Sequence, residues 1–258
     1  RESLVAEIKE GFRFSAGNRG LRSLLLVFAA ANVFLAPMLV MLSPLVLSFY
    51  PLHTAALTAT FSGAGAVVGG FVILAWGGPR RHRMRAVLAF LAAFAVFGAM
   101  AGARPSVALV AVGGFGMALT VTLMNGVYMA IVLVKVPLRF HGRVFALNTL
   151  VAWSTIPLAN GLLGPMTAHW LARAAGVSAG RGIGLAYELF AALLLLTILV
   201  ASRVPSVARF DQVAPDAQID DEVGLAALAA SARIPRQAQA QNPTMSPTMK
   251  HYETEVAP

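Results

Sequence analysis

The stretch Ser106–Val134 reads SVALVAVGGFGMALTVTLMNGVYMAIVLV and runs for 29 residues without a charged side chain. The hydrocarbon core of a bilayer is about 30 Å thick, and an α-helix crosses it in roughly 20 apolar residues. The stretch has the required length and lacks the strict alternation of a β-strand. We therefore predict a membrane-spanning α-helix here, because a helix satisfies its own backbone hydrogen bonds in lipid.

Five further apolar runs of similar length predict an all-α membrane protein with six transmembrane helices. The predicted spans are Leu24–Leu47, Thr54–Gly77, Ala86–Ala103, Ser106–Val134, Val144–Leu171 and Gly182–Ala201. The composition agrees with this prediction, since 58% of the residues are hydrophobic and 12% are charged. A soluble domain carries about 25% charged residues. The composition thus excludes an ordinary water-soluble enzyme.

The charged and proline-rich ends divide the chain into three predicted parts. Residues 1–22 form a cytoplasmic amphipathic lead-in, because apolar residues in Ser3–Phe14 recur near helical spacing between charged ones. Residues 23–202 form the six-helix transmembrane bundle. Residues 203–258 form a cytoplasmic tail that holds six of the 14 prolines. We predict that this tail is largely disordered.

Basic residues between the apolar runs predict the orientation of the bundle. Fourteen Lys or Arg residues precede the first span, lie in the second-to-third and fourth-to-fifth connections, or come just after the last span, as Arg203 and Arg209 do. The alternate connections hold three, so both termini are predicted to be cytoplasmic. Four arginines are predicted to gate or hold the cytoplasmic face through anionic lipids and helix ends. They are Arg80, Arg81, Arg83 and Arg143.

The chain lacks the motifs of the common enzyme and cofactor sites. It contains no cysteine, no phosphate-cradling Gly-Lys motif and no His-Glu-x-x-His motif, and its five histidines are not at metal-ligand spacing. We therefore predict no enzymatic activity, no metal and no cofactor. The basic clusters lie between apolar runs rather than on a soluble surface, so nucleic acid is not an expected partner.

Polar and aromatic side chains inside the spans are the candidate substrate-pathway residues. In lipid such groups face protein or water, so they are expected to point inward. Thr122, Asn125 and Tyr128 are spaced by three and are predicted to cluster on one helix face. Hydrogen bonding between helices is the alternative role for each candidate. The candidates are Asn32, Thr122, Asn125, Tyr128, Asn148, Trp153, Thr155 and Asn160.

Small residues and prolines inside the spans predict close packing and interruptions of the helices. Gly65 and Gly69 are four residues apart, so they share a face and allow two helices to approach closely. Each proline deletes a backbone hydrogen bond and can kink its helix. Interrupted helices are often the places where transporters build their binding sites. The prolines within predicted spans are Pro37, Pro44, Pro157 and Pro165.

Several motifs resemble a known transporter family over about residues 2–205. They are EIKEGFRF at Glu7–Phe14, GRVFALN at Gly142–Asn148, WSTIPL at Trp153–Leu158, and Gly164–Pro165. With the six spans and the basic connection, these motifs resemble the C-terminal half of a major facilitator superfamily transporter. The most similar branch is the bacterial drug and siderophore exporters, including enterobactin-exporter-like and macrolide-efflux-like members. The resemblance implies a place in the bacterial cytoplasmic (inner) membrane and an N-terminal six-helix half as partner.

The resemblance implies efflux of a bulky organic compound, drug-like or siderophore-like, by alternating access. We expect an antiporter coupled to protons, and a proton carrier in a membrane needs a titratable group at depth. Glu188 and His169 are predicted to lie near the outer ends of their spans, so the proton-carrying acid is expected in the N-terminal half. The alternative function is a non-transporting six-helix subunit or scaffold that binds a cytoplasmic partner through its tail.

Overall fold

The computed structural model describes residues 19–79, 81–136, 142, 146, 149–150, 157 and 159–208, all within the unit Arg1–Asp216. These residues are helical apart from short turns, and the described part of the chain contains no strand. The helices are α1 (Arg19–Val40), α2 (Leu42–Leu47), α3 (Leu52–Trp76), α4 (Arg83–Ala103), α5 (Val107–Lys135), a π-helix (Ala159–Leu163), α6 (Gly164–Ala175), α7 (Ala179–Arg203) and α8 (Pro205–Ala208).

Five helical segments in the described part of the chain are long and apolar enough to cross a membrane. They are Leu26–Leu47, Leu52–Trp76, Arg83–Ala103, Val107–Val134 and Ala179–Arg203. The ends of these segments agree with five of the predicted spans to within three residues. The chain therefore has the helices of a multi-pass membrane protein, as its composition predicts.

The first half of the predicted fifth span, Val144–Leu171, lies largely outside the described residues. Its described portion contains the π-helix and the first part of α6. A bundle of six transmembrane helices is thus not confirmed, and a membrane-spanning helix at the predicted fifth span remains a prediction.

Glycines bring the long helices into backbone contact. A Cβ atom on Gly65 of α3 would overlap the carbonyl oxygen of Phe115 in α5, and one on Gly69 would lie 2.9 Å from the carbonyl oxygen of Leu119. The other side of α5 packs against α4, where a Cβ on Gly113 would meet the carbonyl of Phe97 at 2.7 Å. The close packing predicted at Gly65 and Gly69 is therefore confirmed.

Helix α7 completes the bundle by packing against α1, α4 and α6. The centre of this region is apolar and fully enclosed: Met38, Ala95, Tyr187 and Leu194 are 0% exposed. Helix α3 ends at Trp76 and is followed by Gly77, whose left-handed conformation (φ 72°) suits a residue without a Cβ. The basic loop Gly77–His82 then leads into α4. We call the opposite end of the bundle, where α3, α5 and α7 begin, the distal end.

Candidate functional site: a broken helix and its groove

The first span is interrupted between α1 and α2. Helix α1 ends at Val40, four residues before Pro44, whose ring nitrogen has no hydrogen to donate to the Val40 carbonyl. Backbone pairing resumes at once, because the amide of Leu45 donates to the carbonyl of Met41 at 2.9 Å. Pro44 therefore removes one backbone hydrogen bond and leaves a one-residue gap between α1 and α2, within the single span Leu26–Leu47. Helix α1 runs through Pro37 without ending.

A side chain from α7 bonds to the backbone just before this interruption. The hydroxyl of Tyr187 donates a hydrogen bond to the main-chain carbonyl of Met38. Tyr187 is fully buried, and it fits against α4 because Gly102 there has no side chain: a Cβ on Gly102 would lie 2.5 Å from the Cβ of Tyr187. This contact joins α1, α4 and α7 at the point where the first span breaks.

The interruption opens onto a groove of about 260 Å³ between α1–α2, α6 and α7. Its volume lies just below the range of about 300–1,000 Å³ that is usual for small-molecule sites. Pro165, the second residue of α6, also lines the groove, immediately after the π-helix Ala159–Leu163. Two proline-marked helix junctions thus face one groove. The full lining is Val40, Met41, Pro44, Pro165, Ala168, His169, Ala179 and Ile183.

A polar cluster of Phe28, Asn32 and Tyr128 joins α1 and α5. Asn32 lies about 18 Å from Pro44 along the first span. The rings of Phe28 and Tyr128 lie 4.1 Å apart, and the side-chain amide of Asn32 donates to the Phe28 carbonyl at 2.9 Å. Tyr128 is 3% exposed, and its hydroxyl has no hydrogen-bond partner within the described structure. The structure therefore brings together two of the predicted pathway residues, and one of them presents a buried polar atom that is free to bond.

The structure places Thr122, Asn125 and Tyr128 in three different environments rather than in one polar cluster. Thr122 is half-buried beside Gly69 of α3, Asn125 is exposed, and Tyr128 is buried against α1. A step of three residues turns a helix by about 300°, so each member lies about 60° from the preceding one. The hydroxyl of Thr122 donates to the Ala118 carbonyl of its own helix at 2.8 Å, which satisfies that side chain locally.

The other predicted residues are only partly covered by the structure. Asn160 lies in the π-helix. Arg81, in the basic loop, is exposed. Arg83, the first residue of α4, is half-buried, and its Nε donates a hydrogen bond to the Pro79 carbonyl at 3.2 Å. The predicted residues outside the described part of the chain are Asn148, Trp153, Thr155, Arg80 and Arg143.

One polar cluster at the distal end was missed by the sequence analysis. The guanidinium of Arg181 donates to the carbonyls of Gly102 and Ala103, at 2.9 and 2.7 Å, and so caps the C-terminal end of α4. It also pairs with the carboxylate of Glu188 at 3.4 Å. The spacing of seven residues between opposite charges on one apolar helix is the sequence signal that could have identified the pair.

Comparisons with protein-family models, with curated proteins and with solved structures found no match to this chain. The groove, the Tyr128 cluster and the Arg181 cluster are therefore interpreted from their own geometry. Within the described residues, no group of three or more His, Asp and Glu side chains could hold a metal ion.

Proposed function

We propose that the chain is the C-terminal half of a secondary transporter of the major facilitator type. In this proposal it exports a bulky organic compound, drug-like or siderophore-like, across the bacterial cytoplasmic membrane, with both termini cytoplasmic. It acts by alternating access, rocking against an N-terminal six-helix bundle. The observation that carries the proposal is that two proline-marked helix junctions face one groove on the surface of a bundle of apolar helices.

The chemistry of the groove and of the separate Tyr128 cluster supports an organic substrate. The groove walls are apolar with a single imidazole, and the Tyr128 cluster adds aromatic rings and one unpaired hydroxyl. Mostly apolar surfaces with a few placed polar groups are typical of sites for drug-sized molecules. The helix contacts at Gly65, Gly69 and Gly113 lack bulky side chains, so the packed helices can shift past one another when the bundle moves.

In this proposal the N-terminal bundle carries the protons that drive export. Among the described residues, Glu188 is the only acid, and it is ion-paired with Arg181. We therefore place the proton-carrying acid in the N-terminal bundle.

Reconstitution of separate bundles tests the proposal. The chain is co-expressed with its matching N-terminal bundle, purified as a complex and placed in vesicles loaded with a fluorescent amphipathic dye under a proton gradient. We expect gradient-dependent dye efflux from these vesicles and none from vesicles that hold the chain alone. A well-folded complex that moves none of a panel of amphipathic dyes would contradict the proposal and favour a non-transporting subunit.

A further inference from the structure

Helix α6 presents one polar stripe at the edge of the groove. Pro165, His169 and Arg173 follow each other at intervals of four, so they lie on the same face of the helix. The adjacent face packs on α7, where Gly182 lies against Ala168 and Ala172. Arg173 lies about 6 Å beyond His169 towards the distal end, and both side chains are exposed.

The surface along this stripe changes from apolar in the groove to positively charged at Arg173. The floor of the groove is made of apolar groups, including Met41 and Ile183, and His169 is its one polar side chain. Beyond His169 the stripe ends in the positive charge of Arg173. Glu188, the single acid of the described residues, pairs with Arg181 rather than with Arg173. The surface therefore complements a molecule with a long apolar chain and an anionic head.

An exposed tryptophan indicates that this part of α6 lies at the surface of the bilayer. Trp170 is 67% exposed and directly follows His169. Tryptophan is enriched at the level of lipid headgroups, where its amphipathic ring is favoured. Trp76, at the other end of the bundle beside the basic loop, is 54% exposed and suits the opposite interface. The stripe on α6 thus lies where a lipid headgroup would meet it.

We propose that the groove binds a phospholipid with an acidic headgroup. One acyl chain lies along Met41 and Pro44, and the headgroup phosphate accepts hydrogen bonds from His169 and Arg173. In an acidic lipid no headgroup cation offsets the phosphate charge or repels Arg173, so the acidic lipid is preferred to phosphatidylcholine. This binding does not depend on transport, so it can be measured on the chain itself.

Trp170 is a built-in reporter for the proposed lipid. In the full chain carrying Trp76→Phe and Trp153→Phe, Trp170 is the single tryptophan. The protein is placed in phosphatidylcholine vesicles that contain a small, equal fraction of brominated phosphatidylglycerol or brominated phosphatidylcholine. We expect the brominated phosphatidylglycerol to quench Trp170 fluorescence more strongly, because the acidic lipid is enriched in the groove.

Charge variants separate a specific site from general attraction to the protein. Arg173→Gln is expected to lower the preference for the acidic lipid about fivefold, as expected for one Arg at an anionic surface, and Arg173→Lys to retain most of it. Arg104→Gln is the matched control, because Arg104 is also exposed at the distal end but lies on the α4–α5 connection. Circular dichroism checks the helix content of each variant.

Two results would overturn the proposal. One is equal quenching by the two brominated lipids when Arg173 is present, which shows that the groove does not select a headgroup. The other is a preference that falls equally in Arg104→Gln and Arg173→Gln, which shows that only the overall charge matters. The first result is obtained without any charge variant, so a misfolded Arg173→Gln protein does not prevent the test.

Discussion

The hydroxyl of Tyr187 in α7 donates a hydrogen bond to the main-chain carbonyl of Met38 in α1, six residues before Pro44. The bonded tyrosine is enclosed completely, between α1 and the glycine surface of α4 at Gly102. A side chain that bonds to the backbone of a helix is a recognised cause of a break or kink. The interruption that opens the groove is therefore supported from a neighbouring helix.

The two buried tyrosines should respond in opposite ways to loss of their hydroxyls. Tyr187→Phe removes a buried hydrogen bond and leaves the Met38 carbonyl without this donor, so we expect it to lower the free energy of unfolding by about 1 kcal/mol. Tyr128→Phe removes a hydroxyl that has no partner in the described structure, so we expect no loss or a small gain. Unfolding in detergent, followed by circular dichroism, measures both. Equal destabilisation by the two substitutions would show that the assigned hydrogen bonding is incorrect.

Two glycines of α3 provide a second matched pair. Gly65→Ala places a methyl group on the Phe115 carbonyl, so the α3–α5 contact must open, and we expect a loss of about 1–3 kcal/mol. Gly63→Ala meets nothing within 4 Å, and the better helix propensity of alanine should leave stability unchanged or raise it by up to about 1 kcal/mol. The same unfolding measurement applies. A Gly65→Ala protein as stable as the Gly63→Ala protein would mean that the two helices do not cross at this point.

The Arg181 cluster should depend on the arginine more than on the acid. Arg181→Gln leaves the carbonyls of Gly102 and Ala103 without their shared charged donor, and we expect a loss of about 1–3 kcal/mol. Glu188→Gln removes only an ion pair whose side chains are 34% and 39% exposed, for which less than about 1 kcal/mol is expected. A double-mutant cycle isolates the pair. If Glu188→Gln proves as costly as Arg181→Gln, the ion pair rather than the helix cap stabilises the distal end.

The sequence predicts the long helices well because the lipid solvent sets where each apolar run begins and ends. The five spans found in the described residues agree with prediction to within three residues, and Pro44 correctly marks the break in the first. The contacts between spans could not be predicted in this way. Tyr187 and Met38 are 149 positions apart, and no local pattern indicates that they meet.

The candidate site was predicted less completely than the helices. The three-residue spacing of Thr122, Asn125 and Tyr128 suggested a shared face, yet their environments differ because Thr122 lies beside Gly69 of α3, Tyr128 packs on Phe28 of α1, and Asn125 is exposed. The meeting of the Pro44 and Pro165 junctions at one groove depends on how α6 packs against α7. Such packing follows from tertiary contacts of small residues, which a single sequence does not reveal.

The central claim is that these helices cross a membrane, with the basic loop on the cytoplasmic side and the distal end on the other. Because the chain has no cysteine, single cysteines at the exposed positions Arg81→Cys and Arg104→Cys can report the side directly. Each variant is treated with a membrane-impermeant maleimide in right-side-out and in inside-out vesicles. The account predicts labelling of Arg81→Cys only in inside-out vesicles and of Arg104→Cys only in right-side-out vesicles. Labelling of both positions from the same side would contradict it.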